Sequence, residues 1–223
     1  FSNHKVSFCH IDPSRGQKVL EGVLGDRYSG VLVSDFLSAY NKIGALAKQR
    51  CLVHLLRDLK RVRECLWDDL AVQRFCKRLE GLIRRAVDLA KARDQRMISK
   101  KDFVKKRTQL EESLHDATFQ DPKHRILQRF VKRLERHKEE LLTFLYHPGL
   151  DWQNNRAERM IRPNVLLRKI TFGNRSQSGI ANHGILMSII QTAGLNSLDP
   201  LKTLRELLSP THQAKTLAAL IPP

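Results

Sequence analysis

Between residues 55 and 147 the apolar residues return every three or four positions, and a chain with that rhythm cannot bury them as a sheet. Leu55, Leu59, Val62 and Leu66 share one helical face. Phe75, Leu79, Leu82, Ala86 and Leu89 share a second, and Ile126, Phe130, Leu134, Leu141 and Leu145 a third. A strand would need alternation with period two. This zone therefore reads as two or three long amphipathic helices with a break at Asp121-Pro122. The opposite faces carry Arg61, Arg63, Arg74, Lys77, Arg78, Arg84, Arg85, Lys91 and Arg93, then Lys100, Lys101, Lys105, Lys106 and Arg107. Many of these have acidic neighbours, so two readings stay open: a solvated surface, or a face that touches DNA.

Residues 1–54 have a different, α/β rhythm. Residues 5–11 (KVSFCHI) are strand-like and end at Asp12-Pro13-Ser14. Residues 15–24 place Val19, Val23 and Leu24 at helical spacing, with Gly25 suited to the helix end. Gly30-Val31-Leu32-Val33-Ser34-Asp35 is a short apolar, β-branched run, the pattern of a buried strand. A helix is expected over residues 38–48, and another short strand over residues 50–54.

After Pro148-Gly149 the pattern changes again. Residues 154–162 read as a short helix stopped by Pro163, which disfavours helix in the residue before it. Residues 165–172 read as extended, residues 173–179 as a polar loop, and residues 180–193 as an apolar helix. Asp199 caps a last helix over residues 200–208, with proline at its first position. The expected partition is 1–54, 55–147, 148–208, and a tail at 209–223.

Charge narrows the partners. The chain holds 40 Lys+Arg against 23 Asp+Glu, a net +17, and such an excess points to a polyanion, with nucleic acid first. Cys9, Cys51, Cys65 and Cys76 form no CxxC pair, and no His stands at zinc spacing from two of them. They read as reduced thiols of a cytoplasmic protein. No apolar run is long enough to span a bilayer, so no membrane partner is expected. Phe1-Ser2-Asn3 reads as the middle of a longer protein.

Two carboxylates stand out. Asp35 ends a buried strand, where α/β folds place their sites; equally, it serves there to cap the segment after the strand. Glu158 lies in Asn154-Asn155-Arg156-Ala157-Glu158-Arg159-Met160-Ile161-Arg162-Pro163. On a helix Asn154, Glu158 and Arg162 share a face. A carboxylate among amides and arginines suits a metal beside phosphates. It equally suits a solvated helix with Glu–Arg pairs.

The run from Gly30 to Tyr40 (GVLVSDFLSAY), Cys51-Leu52-Val53-His54-Leu55-Leu56-Arg57-Asp58-Leu59, and above all the Asn-Asn-Arg-Ala-Glu-Arg block from Asn154 resemble transposases of the insertion-sequence sixty-six type. So do Arg168-Lys169, the loop from Gly173 to Gly179, and Leu195-Asn196-Ser197-Leu198-Asp199-Pro200. The resemblance runs in order from about residue 1 to about 208, as the C-terminal part of a catalytic domain. It implies an α/β fold with a ribonuclease H-like core and a long all-helical insertion between the second Asp and the Glu of an Asp-Asp-Glu triad. Asp35 matches that second Asp and Glu158 the Glu. The first Asp would lie upstream of Phe1, leaving the isolated chain inactive. Asp12 matches no triad position and is the one nearby substitute.

The resemblance further implies Mg²⁺ or Mn²⁺ on Asp35 and Glu158, double-stranded DNA (transposon ends and target) as partner, a homo-oligomer on that DNA, and a bacterial, nucleoid-associated setting. Arg156, Arg162, Arg168, Lys169, Arg175 and His54 are the candidate phosphate contacts. Asn154 and Asn155 orient Glu158 or cap its helix. Trp152 stacks on an unpaired base or packs in the core. Three rival readings remain: a basic DNA-binding helical module without chemistry, a metal-dependent nuclease of the same fold, and a dimerising interaction protein.

Overall fold

A computed structural model describes residues 1–118 and 124–221, Thr118 by its backbone alone. The expected break at Asp121-Pro122 lies outside the described residues. The chain is mostly helical and divides into two units, residues 16–154 and residues 1–15 with 155–223.

The first unit opens with helix α1 (Gln17–Leu24), closed as expected by Gly25 at φ +71. Strand β1 (Arg27–Ser34) runs parallel to β2 (Gly44–Arg50), pairing Val31 with Ala47, Val33 with Gln49 and Ser34 with Arg50. Between them lies one 3-10 turn, Ser38–Asn41. This corrects the helix expected over residues 38–48. Ala45, Ala47 and Lys48 are good helix formers, but β1 presents an unpaired edge and pairing overrides propensity. Gly44 admits the close approach, since a Cβ there would stand 2.8 Å from the Asp26 carbonyl oxygen. The strand expected at residues 50–54 is likewise corrected: β2 ends at Arg50 and helix α2 (Leu52–Cys65) begins two residues on.

The rest of this unit is the helical zone. Among the described residues it contains four α-helices rather than two or three: α2, α3 (Leu70–Asp94), α4 (Lys100–Thr118) and α5 (Arg125–His137). The Asp69 carboxylate starts α3 by accepting from the N–H groups of Ala71 and Val72. The apolar stripes meet in one core that includes Leu55, Leu59, Phe75, Leu79, Leu82, Ala86, Phe130, Leu134 and Leu145. Phe75 and Phe130 meet edge-on, centroids 6.3 Å apart. Ile126 departs from expectation: it is 40% exposed, and Leu127 takes the buried position. Trp152 packs partly buried against this core, and its carbonyl accepts the Leu52 N–H at 3.0 Å.

The second unit is built on helices α6 (Asn155–Thr171), α7 (Gln177–Leu195), α8 (Pro200–Leu207) and α9 (Gln213–Leu220). The Asp199 cap is as expected, its Oδ1 accepting the Lys202 N–H. Two expectations are corrected. Residues 5–11 form no strand; only a single bridge joins Ser2 and Ser7. The side chains of α7 satisfy this segment instead. Thr192 Oγ1 accepts the Ser7 N–H and donates to its carbonyl, and Ser188 Oγ accepts the Cys9 N–H. Asn196 donates to the Lys5 carbonyl. Gly184, Ser188, Thr192 and Asn196 recur every four residues, and Gly184 lets the Cys9 carbonyl oxygen come within 3.0 Å of where its Cβ would be. An extended segment thus finds hydroxyl and amide partners where a sheet would offer peptide groups.

The other correction is α6, which runs through Pro163 to Thr171, so residues 165–172 are helical rather than extended. Proline removes one helical hydrogen bond and crowds the preceding carbonyl. Gln191 of α7 donates to the neighbouring Met160 carbonyl at 2.5 Å. Pro163 itself lines an apolar cleft with Met160, Gly194 and Leu195. Among the described residues no helix is long and apolar enough to cross a membrane.

Leu134 is fully buried in the bundle core. Leu134→Ala is expected to cost about 2–5 kcal/mol of unfolding free energy, measured by urea denaturation. Leu201→Ala, at a position 59% exposed, is expected to stay within about 0.5 kcal/mol of the parent.

Candidate functional site

Asp35 is the residue after β1, at the end of the strand. Its Oδ1 accepts the Leu37 N–H at 3.0 Å, a side-chain turn that starts the next segment. Its other carboxylate oxygen accepts no hydrogen bond from a described residue. Asp35 therefore caps the turn after the strand and keeps one carboxylate oxygen without a hydrogen bond from a described residue.

What positions it is Arg50, at the end of β2 and fully buried. Its Nη1 donates to the Asp35 carbonyl at 2.9 Å and to Ser34 Oγ at 3.2 Å, and its Nη2 to Asn41 Oδ1 at 2.9 Å. Its Nε meets Glu140 Oε2 at 2.5 Å. Beside it, buried Gln49 donates to the Leu141 carbonyl and accepts from the Phe144 N–H. Glu140 also lies 3.1 Å from His137 Nδ1. Burial, then the Arg50 charge, lower the His137 pKa, while Glu140 opposes both. Burial, then the Asp35 charge, raise the pKa of the Tyr40 phenol. Sequence reading missed Gln49, Arg50, Glu140 and His137. Their only sequence signal is polar residues at positions that packing later buries.

His54 is half-buried in the first turn of α2 rather than at a strand end. Asn154 stands immediately before α6, and its N–H reaches Cys51 Sγ at 3.4 Å. Asp35, His54 and Asn154 belong to the unit of residues 16–154.

The other candidates belong to the second unit. Glu158 is exposed in the first turn of α6, where the positive end of the helix dipole favours a carboxylate. Asn155 and Arg156 are half-buried; Arg162, Arg168 and Lys169 are exposed along the same helix, and Arg175 lies in the loop before α7. Asn155 begins α6, Arg162 stands one turn beyond Glu158, and Arg168 and Lys169 fall in the last turn. Asp12 does not end a strand: its Oδ1 accepts the Ser14 N–H, and its other oxygen lies 3.8 Å from His10.

This unit also holds a polar chain that sequence reading passed over. Asn164 of α6 contacts Cys9 Sγ at 3.4 Å and His183 Nε2 at 2.9 Å, and His183 Nδ1 meets the Asn174 amide. It ties the start of α7 to the middle of α6.

Carboxylate oxygens are the donors that Mg²⁺ and Mn²⁺ take. Asp35 and Glu158 fit by type, and Mg²⁺ is commonly held by one or two carboxylates together with substrate phosphates. Among the described residues no three His, Cys, Asp or Glu side chains gather as a metal site.

Removing the Arg50 guanidinium would leave Glu140 and three neutral acceptors without their donor. Arg50→Met is expected to cost about 3 kcal/mol, at the low end for a broken buried pair because Glu140 keeps some contact with water; chemical denaturation measures it. His137 sets a pH dependence. Unfolded, it titrates near ~6.5; folded, it takes its proton only at lower pH, so the unfolded state binds more protons in between. Stability is therefore unaffected above about pH 6.5 and is lost as pH falls below it. His137→Gln is expected to flatten that acid limb in denaturation midpoints measured across pH.

Compared with known proteins, residues 1–182 match the family model described as Transposase IS66 family. The match ends inside α7, short of the expected residue 208. No curated protein and no solved structure matches the chain.

Proposed function

Since this chain belongs to the IS66 family of transposases, we propose that it is the C-terminal part of a catalytic domain that cuts and joins DNA strands with divalent metal ions. The observation that carries the reading is that the family match over residues 1–182 takes in both Asp35 and Glu158. In this reading residues 1–54 and 148–208 belong to a ribonuclease H-like core. Residues 55–147 are a helical insertion and residues 209–223 a tail. A further Asp upstream of Phe1 completes the triad.

Asp35 and Glu158 would hold Mg²⁺ or Mn²⁺. When bound, such ions activate an oxygen nucleophile and stabilise the leaving oxygen opposite it. The chain's own residues supply position and charge. Arg50 fixes the Asp35 backbone through its carbonyl, so the free carboxylate oxygen is offered from a held strand end. Asn154 and Asn155 orient Glu158 at the start of its helix. Arg156 and Arg162 hold phosphates flanking the reacting one. Arg168, Lys169 and Arg175 track the DNA backbone, and His54 adds a phosphate contact. The protein acts on DNA as a homo-oligomer in the bacterial cytoplasm, at the nucleoid. Water first hydrolyses a phosphodiester at a transposon end, freeing a 3′-hydroxyl; that hydroxyl then attacks a target phosphodiester, its new O–P bond replacing the one to the target's 3′-oxygen, which leaves as a hydroxyl.

The test is cleavage and joining of transposon-end DNA with Mg²⁺ or Mn²⁺, by the full-length protein that carries this chain. Both reactions are expected. Asp35→Asn and Glu158→Gln are each expected to lower them by more than about 100-fold, since even outer partners of metal ligands account for about 10–100-fold. Cleavage without joining would make the protein a nuclease of the same fold. Wild-type rates in both variants would remove Asp35 and Glu158 from the chemistry, and no reaction by the unmodified protein would leave a DNA-binding module without chemistry.

A further inference from the structure

We infer that helix α5 carries a second DNA contact, a phosphate-binding stripe formed by Arg125, Arg129, Lys132 and Arg136 on the helical bundle. It rests on the reading of DNA as the partner and on no part of the carboxylate chemistry.

The four residues fall at i, i+4, i+7 and i+11, so they occupy one narrow face of the helix. All four are exposed. The opposite face is the one α5 buries, through Leu127, Phe130, Val131 and Leu134. The stripe therefore points straight away from the core. The helix's one other arginine, Arg133, faces elsewhere: it pairs with Asp58 at 2.8 Å and lies over the Phe36 and Phe130 rings. The one carboxylate, Glu135, flanks the stripe three residues from Lys132 but makes no ion pair with it.

Elsewhere in the bundle several surface cations are paired with carboxylates. Lys60 pairs with Glu64, Arg61 with Asp58, Arg63 and Arg84 with Glu80, Lys91 with Asp88, Arg93 with Asp94 and Arg107 with Glu111. Of the basic faces expected from sequence to touch DNA, six of the fourteen residues are thus held in internal pairs, while Lys100, Lys101, Lys105 and Lys106 on α4 make none among the described residues. On α3, Arg74, Lys77, Arg78 and Arg85 make no such pair among the described residues, and Arg74, Arg78 and Arg85 share a face as a shorter row of three. The α5 stripe is aligned, and none of its members makes an ion pair with a described residue. Like charges three and four residues apart repel one another on a helix. A face needed only for solubility would interleave acids, as α2 does. An aligned row of like charges suits an extended polyanion.

The dimensions fit a duplex. Eleven residues of helix span about 16 Å, and each DNA strand carries a phosphate per ~3.4 Å of axis, so about five phosphates of one strand lie along the stripe. The contact reads charge and carries no base specificity.

The test is equilibrium binding of the whole chain to a random-sequence DNA duplex over a range of salt concentrations. Each phosphate contact adds ~0.9 to the slope of log affinity against log salt. Arg129→Gln/Lys132→Gln and Arg125→Gln/Arg136→Gln are each expected to lower that slope by about 2. Lys60→Gln/Arg61→Gln, which removes the same charge from paired positions, is expected to leave it unchanged. Equal loss in all three double variants, or none in the stripe variants, overturns the stripe and leaves the transposase reading standing. A defect confined to single-stranded RNA of equal length would overturn the assignment to duplex DNA. Failure of the unmodified chain to bind duplex at any salt concentration would remove DNA as its partner and sink both readings.

Discussion

The buried guanidinium of Arg50 is the interaction on which the first unit turns. It sits at the end of β2 and satisfies the Asp35 carbonyl, Ser34, Asn41 and Glu140 at once. A buried charge is tolerated only where such partners surround it. With Gln49 next to it bonded to Leu141 and Phe144, the small parallel sheet is fastened to the chain that leaves α5. The position of Asp35 is thus set jointly by a strand and by residues about a hundred positions later. Its candidacy as a ligand depends on that fastening more than on the strand alone.

Charge is organised by helix rather than spread evenly. The net +17 of the sequence is an average over pairs that cancel and rows that do not. On α2, and at several positions of α3, carboxylates stand one turn from their cations, and such exposed pairs contribute little to stability. Their effect is to flatten the local field, which leaves the unpaired rows to dominate attraction at a distance.

The second unit shows polar groups doing what sheets do elsewhere. The four-residue repeat of Gly184, Ser188, Thr192 and Asn196 on α7 holds an extended segment by side-chain hydrogen bonds. On α6, Pro163 is carried within the helix, the neighbouring turn held by Gln191. Glu158 and Arg162 therefore lie on a helix continuous with Arg168 and Lys169. A short helix and then a strand would have separated them.

Local patterns were legible wherever a residue's partners lie within a turn or two. Helical periodicity marked α2, α3 and α5, Gly25 marked the end of α1, the β-branched run marked β1, and Asp199-Pro200 marked the start of α8. Both candidate carboxylates, Asp35 and Glu158, were singled out from short motifs for the same reason. Tertiary structure decided the rest. Residues 44–50 became a strand because β1 offered an edge, residues 165–171 stayed helical through Pro163, and residues 5–11 lay on α7 without joining a sheet. Arg50, Gln49, Glu140 and His137 gained their roles only when distant segments enclosed them. Periodicity and capping are properties of neighbours along the chain, whereas pairing and the satisfaction of buried polar groups depend on which remote residues arrive beside them.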